Sequence, residues 1–321
     1  MSEGRERGPA PRTRLAHSAA RSLVSCAHST AKVSLDLVPL DGEEVRDANR
    51  ATPRSGGLRA WTEDTALVAR GAACATVVDA FLHPPYRLLE WTSHGARTSE
   101  LRAELLPEVV RWSAEYCMGE AVASGGWVVT ARDPASGEML GTALVAHVDQ
   151  LLRGAPVWRA AERARAFLGS AARQPFPPAL QRPFRYGLNA VVRALALTQL
   201  EDERVAAVDS LPESAPRYVY LQQLATRPKA QKRGVGSALL RAVTAIADEL
   251  GEGCYLETDE EHLRALYEKH GFVVHHTYVV SAGGGSFAPN YAMVRPVTEF
   301  GAVAGRANVV ESAGSAPPPS A

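Results

Sequence analysis

The spacing of hydrophobic positions changes several times along the chain, and each change marks an element. Val33, Leu35 and Leu37 alternate with polar neighbours, which predicts a half-buried strand over 33–40. Apolar residues at helical spacing (Leu67, Ala75, Val78, Phe81, Leu82) predict a helix over 64–82, stopped by Pro84-Pro85. A second helix is predicted over 101–116. Strands over 127–131 and 139–148 flank Asp133-Pro134-Ala135-Ser136-Gly137-Glu138, whose residues favour a turn, so the pair reads as a hairpin. Between 150 and 217 the strand signal disappears: helical patterns at 158–168 and 186–200 surround a proline-rich link at 174–183, and the segment reads as a helical insertion or lid. Tyr218 to Thr226 then reads as a buried strand, and Val235 to Leu250 as an amphipathic helix stopped at Gly251. A short strand over 254–257, a helix over 260–270 closed by Gly271, and strands over 272–280 and 291–294 complete the chain's mixed α/β second half.

Composition trims the functional classes. Lys plus Arg equals Asp plus Glu at 35 each, so no bulk positive charge is present to hold nucleic acid or an anionic membrane surface. Cys26, Cys74, Cys117 and Cys254 are far apart and form no C-x-x-C pair, which argues against a zinc site and a disulfide scaffold. No run approaches the length of a membrane-spanning helix. A cytoplasmic protein is expected, with nuclear or organellar placement left open. Residues 1–32 hold six basic side chains against two acids among small and hydroxylated residues; a disordered basic arm or a transit peptide both fit. Residues 297–321 are rich in Gly, Ala, Ser and Pro and read as a tail that cannot bury enough surface to order. One domain over 33–296, carrying the 150–217 insertion, is expected between these ends.

The chemistry concentrates in Leu224-Ala-Thr-Arg-Pro-Lys-Ala-Gln-Lys-Arg-Gly-Val-Gly-Ser237, which leaves a buried strand, turns through a basic loop and enters a helix. Gly234 and Gly236 remove Cβ atoms that would keep an anion from the backbone. The helix start adds unpaired N–H donors and the positive end of its dipole, both suited to a pyrophosphate. Lys229, Lys232 and Arg233 supply mobile counter-charge. A Walker A loop is excluded because no Gly-Lys-Ser/Thr follows at the required spacing. A dinucleotide loop is matched in part: Glu257 lies 21 residues after Gly236, but Leu239 occupies the third glycine position.

A third pattern, Gln/Arg-x-x-Gly-x-Gly/Ala, is met in full by Gln231, Gly234 and Gly236, and it resembles the pyrophosphate loop of the GNAT N-acetyltransferase superfamily. Leu266-Tyr-Glu-Lys-His-Gly-Phe272 is similar to that family's L-Y-x-x-x-G-F run, and the Phe81 to Trp91 segment and the hairpin occupy the places of its early helix and strands. The resemblance implies a mostly antiparallel central sheet flanked by helices, and acetyl-CoA as co-substrate of an N-acyltransferase that works by direct attack of an amine, without a metal. It also implies backbone pairing of Leu224, Ala225 and Thr226 with the pantetheine arm, and a pyrophosphate held by Gln231, Lys232, Arg233, Gly234, Val235, Gly236 and Ser237. Tyr267 is implied as the acid that protonates the departing sulfur and is the leading catalytic residue; the alternative is a core tyrosine, since Leu263 and Tyr267 share a helix face.

Two positions depart from the family pattern. The strand that often carries a carboxylate base has Gln222 and Gln223, which cannot take a proton, so the base is unassigned, with Glu257 and Asp259 at the end of the next strand as candidates; Asp259 also reads as a solvated strand end or a helix N-cap. His262 stands where many members place a cofactor-contacting asparagine. The missing strand carboxylate also motivates an acyl-CoA-binding or regulatory protein with little turnover, and a nicotinamide-dependent oxidoreductase is a more distant reading. His275-His276 point to opposite faces of a strand and do not make a metal pair. Trp158, Phe167 and His147 read as packing or satisfied polar residues. The acceptor amine and the oligomeric state are not legible.

Overall fold

The computed structural model describes residues 33–38, 63–124, 126–147, 177–210, 218–282 and 285–297. The basic arm, nearly all of the tail and the helix predicted over 158–168 lie outside the described residues.

Seven strands form one sheet: β1 (Ser34–Val38), β2 (Trp127–Arg132), β3 (Met139–His147), β4 (Tyr218–Thr226), β5 (Gly253–Thr258), β6 (Val273–Ala282) and β7 (Gly285–Arg295). Their order is β1-β2-β3-β4-β5-β7-β6. Every neighbouring pair is antiparallel except β4 and β5, which run parallel. The helices are α1 (Glu63–Leu82), α2 (Arg87–Ser93), α3 (Ser99–Ser124), α4 (Leu188–Asp209), α5 (Val235–Leu250) and α6 (Glu261–Glu268), with two single turns at Pro178–Gln181 and Pro183–Tyr186. This is the mixed, mostly antiparallel architecture expected from the resemblance.

Side-chain alternation along the central strands sets the layers. Val219, Leu221, Cys254, Leu256 and Met293 face α5 and α6 and pack with Val235, Leu239, Val243, Ile246 and Tyr267. Tyr218, Tyr220, Tyr255, Ala292 and Val294 point to the opposite face, under α2 and α4. On that face the β1–β3 half is covered by α1 and α3 through Ala73, Val77, Ala114, Met118 and Ala121. Each fully buried Leu, Ile or Val on α5 contributes about 1.5–3 kcal/mol, enough to hold that helix's register on the sheet.

Several elements differ from the sequence reading. α3 extends to Ser124, because Met118 and Ala121 are buried among small residues whose spacing gives a weak apolar signal; at its start Thr98 Oγ1 accepts the Leu101 N–H, an N-terminal cap. β7 begins six residues before the predicted strand. Pro289 hid it, and the structure shows why proline is tolerated: β5 pairs with β7 only over Thr258↔Tyr291 to Cys254↔Arg295, so Pro289 has a strand neighbour on one side only, opposite Val279. The short α2 carries Leu88 and Leu89 into two different clusters, and its seven residues are too few for a helical period to show.

Gly141 on β3 lies opposite Thr226 and beneath the first turn of α5. A Cβ there would sit 2.8 Å from the Ala225 carbonyl oxygen, 2.9 Å from Val235 Cγ1 and 3.0 Å from Leu239 Cδ1. Gly141→Ala is expected to destabilise the protein by about 1–3 kcal/mol, the usual cost of overpacking, read from the midpoint of urea unfolding.

Candidate active site

β4 and β5 pair over four residues, from Tyr218↔Gly253 to Leu221↔Leu256, and then separate. The cause lies in β4: Leu144 of β3 pairs with Gln223 and Val145 with Leu221, so Gln222 is the extra residue of a bulge. A bulge bends its strand and raises the local twist. It falls at the residue where pairing with β5 ends, and it leaves 222–226 with no strand partner on the β5 side. The predicted pantetheine residues Leu224, Ala225 and Thr226 lie on this open edge, still held by β3 on the other side.

The edge runs into the predicted phosphate loop. A turn of 3-10 helix, Pro228–Ala230, follows, and the Gln231 side-chain amide donates back to the Thr226 carbonyl at 3.3 Å. Lys232 adopts φ 59° and Gly234 φ 81°. A left-handed backbone costs a non-glycine residue about 1–2 kcal/mol, so the Lys232 conformation is held by the turn around it. α5 starts at Val235 with Gly234 as its N-cap, no capping side chain and no acid in its first turn. The N–H groups of the first turn are thus left for an external anion. At Gly236 a Cβ would meet Thr226 Oγ1 at 3.5 Å, an ordinary contact. Lys232 and Arg233 are exposed here. Lys229 is not mobile as expected: its ammonium pairs with Glu138 in the hairpin turn, which also lies 3.4 Å from Arg227. The Lys229 hydrogen bond is the chief reason the Glu138 carboxyl sits below its usual pKa.

Tyr267, on α6, is 6% exposed and packs edge-on against Phe272 with ring centroids 5.9 Å apart. Burial first, and the Asp259 carboxylate second, push its phenol well above the usual tyrosine range, so it remains a proton donor at neutral pH. Glu257 is the first β5 residue past the last pair with β4, and it accepts hydrogen bonds from Tyr255 at 2.8 Å and Tyr220 at 3.1 Å. His262 is exposed in the first turn of α6, 3.6 Å from the Glu260 carboxylate.

Asp259 is neither a solvated strand end nor an N-cap. It is 3% exposed, the N-cap of α6 is Glu260, and neither Asp259 carboxylate oxygen has a geometrically sound hydrogen bond to a described residue. Burial raises its pKa, with the nearby Tyr86 phenol partly offsetting that rise. Sequence reasoning missed a further carboxylate altogether. The Gln222 amide donates to Glu120 of α3 at 2.6 Å, and the other oxygen of Glu120 accepts from Tyr116 at 2.8 Å. Among the described residues, no group of three or more His, Cys, Asp and Glu is placed to hold a metal ion, and no helix is long and apolar enough to cross a membrane. His275 lies 2.8 Å from Ser210 Oγ and His276 3.5 Å from Glu203, so both histidines meet the end of α4.

Residues 193–274, from α4 to the start of β6, match the family model of the acetyltransferase (GNAT) domain. No curated protein matches the chain. Solved structures similar to it include one described as histone acetyltransferase HPA2 and related acetyltransferase from Corynebacterium glutamicum, with 21% identity, TM-score 0.42, and coverage of 74% of this chain and 94% of that one. Another is arylalkylamine N-acetyltransferase 2 from Aedes aegypti, with 10% identity, TM-score 0.44, and coverage of 72% and 96%. A third is PaiA N-acetyltransferase from Thermoplasma acidophilum in complex with coenzyme A, with 12% identity, TM-score 0.36, and coverage of 72% and 94%.

Because the fold favours protonated Asp259, its contribution to stability is full below the unfolded carboxylate pKa of about 3.9 and is lost as pH rises through the raised folded value. Asp259→Asn is therefore expected to melt at a higher temperature than the parent near neutral pH. The two melting curves should converge toward pH 4, as followed by calorimetry.

Proposed function

We propose that this chain, whose residues 193–274 belong to the GNAT acetyltransferase domain family, transfers an acetyl group from acetyl-CoA to an amine within a ternary complex. The observation that carries the reading is the continuity of the site: the β4 edge vacated by β5 leads directly into the left-handed turn and the uncapped start of α5. Pantetheine amides pair with the open edge at Leu224, Ala225 and Thr226 as an added strand would. Gln231 to Ser237 hold the pyrophosphate through main-chain N–H groups, with Lys232 and Arg233 as counter-charge. The thioester is thereby set in the gap between β4 and β5.

Reaction needs a neutral amine. For a lysine-like amine of pKa about 10.4, losing the ammonium proton at pH 7 costs about 4–5 kcal/mol. Glu257 is the proposed base, since it stands at the mouth of the gap and its two tyrosine donors fix its orientation. The amine nitrogen then attacks the thioester carbon, a C–N bond forms, the C–S bond breaks, and the sulfur takes the Tyr267 proton. The second nitrogen proton leaves as the amide forms and restores Tyr267 through solvent, and Glu257 releases the ammonium proton to bulk water, so charge and protons balance with one proton set free per turnover. Alignment of the two substrates can contribute on the order of 7–11 kcal/mol, the largest share of the acceleration. A carboxylate at the gap favours turnover over an acyl-CoA-binding role without chemistry.

Gly236→Ala is expected to fold with unchanged or slightly higher stability, because the protein itself has room for the methyl group and alanine is the better helix former by about 1 kcal/mol. It should nevertheless weaken acetyl-CoA binding at least tenfold in isothermal titration; unchanged affinity would remove the pyrophosphate from this turn. Tyr267→Phe keeps the ring packing. It should lower kcat at least tenfold at an unchanged dissociation constant for acetyl-CoA, and a parallel loss of both would mark a packing role.

A further inference from the structure

We propose that Asp259, buried beside Tyr86 and Tyr267, is a positioning residue that acts through Tyr267 and returns to its phenol the proton given to the coenzyme A sulfur. The role rests on the transferase reading above and concerns the proton supply of that same site.

The turn that carries Asp259 engages its main chain and sends its side chain inward. β5 ends at Thr258, whose Oγ1 accepts the Glu260 N–H at 3.3 Å, and Glu260 is the N-cap of α6. The Arg87 guanidinium donates to the Asp259 carbonyl at 3.4 Å and lies 3.9 Å from the Glu260 carboxylate. The Asp259 carboxyl is left 3% exposed, with no sound hydrogen bond from a described residue to either oxygen. Two phenols lie within reach of its charge: Tyr86, which packs against the cluster under α2, and Tyr267, which packs with α5 on the other face of the sheet. Glu260 and Arg87 act on it from the turn and from α2, and Tyr278 of β6 acts on Tyr86. Glu257, two residues earlier on β5, is held instead by Tyr220 and Tyr255.

Packing alone does not call for a carboxyl here. Asparagine has nearly the same shape without the charge, and the fold keeps the carboxyl at a cost that grows with pH. Ionisable groups held in that way gather where protons are moved, and stability is given up at such positions for function. The reaction supplies the need. A phenol of pKa about 10 is disfavoured about thirtyfold as proton donor to a thiolate of pKa about 8.5, and burial makes Tyr267 a weaker acid still. A carboxylic acid is a stronger acid than a phenol and takes the negative charge off it. As the sulfur gains its proton, the Tyr267 O–H bond breaks. The Asp259 O–H bond then breaks as the phenol O–H re-forms, and the charge rests on the carboxylate. The second nitrogen proton enters solvent when the amide forms, and Asp259 takes one back. Asp259 is thus the last carrier on the return to Tyr267, with no change in the proton count.

The test follows thiol release by the full chain from about pH 6 to 9, with benzylamine and aniline as probe acceptors, and acetyl-CoA affinity by isothermal titration. In the parent, kcat is expected to fall toward high pH as Asp259 ionises. Asp259→Asn should bind acetyl-CoA with unchanged affinity, lower kcat at least tenfold at its optimum and lose that descending limb. Tyr86→Phe removes a phenol that partly offsets the effect of burial on Asp259, so it should move the limb to higher pH. Unchanged kcat in Asp259→Asn, a lower kcat with the limb still in place, or loss of kcat and acetyl-CoA affinity together would overturn the proton role. A limb that stays put or moves to lower pH in Tyr86→Phe would overturn it as well. Failure of the parent to bind acetyl-CoA, or to release thiol with both probes, would instead bring down the transferase reading beneath it.

Discussion

Two parallel strands that begin side by side and then part set the terms for the rest of the molecule. β4 and β5 share the short register Tyr218–Leu221 with Gly253–Leu256, and the extra residue Gln222 bends β4 away at the next step. A sheet normally satisfies its backbone donors and acceptors with neighbours, so a strand opened in mid-sheet exposes groups that require another partner. The remainder of the fold keeps that opening from closing. β3 grips the far side of β4 to its last residue, β7 grips β5 to Thr258, and α5 clamps the sheet below through a continuous apolar stripe. Gly141 is part of the same arrangement, since its missing side chain lets the start of α5 lie close to the end of β4.

The two faces at the gap carry different chemistry. Toward α5 lie a turn with two left-handed residues and an uncapped helix start, suited to phosphate. Toward α2 and α3 lie Tyr220, Tyr255, Glu257 and the Glu120–Gln222 pair, a face of carboxylates held by phenol and amide donors. The basic loop is restrained by acids of the β2–β3 turn: Glu138 pairs with Lys229, and Asp133 lies close enough to Arg233 for that charge to add to the lowering of its pKa, which comes first from the Ser136 backbone N–H.

The strand and helix on either side of the glycine-rich turn were legible in the sequence. Tyr218–Thr226 and Val235–Leu250 have the boundaries the pattern predicts, because a bounded aromatic run, a glycine-rich turn and a strong helical stripe coincide there. The opposite face of the gap was not. A bulge leaves no periodic signature in a nine-residue strand, so Gln222 and Gln223 read only as a missing carboxylate. Glu120 was invisible because its significance lies in a contact with a residue far along the chain, and because the last turns of α3 are rich in small residues. Asp259 was misread for a related reason: sequence places a carboxylate before a helix, but its burial beneath Tyr86 and Tyr267 is a tertiary fact.

The account stands on coenzyme A occupying the vacated β4 edge and the turn that follows. Hydrogen exchange of the full chain, with and without saturating acetyl-CoA, measures this amide by amide. Slowed exchange concentrated in 222–226 and 232–237, with the β3-paired strands little changed, is the predicted result. Protection confined to other segments at saturation, or none in these two, would contradict it.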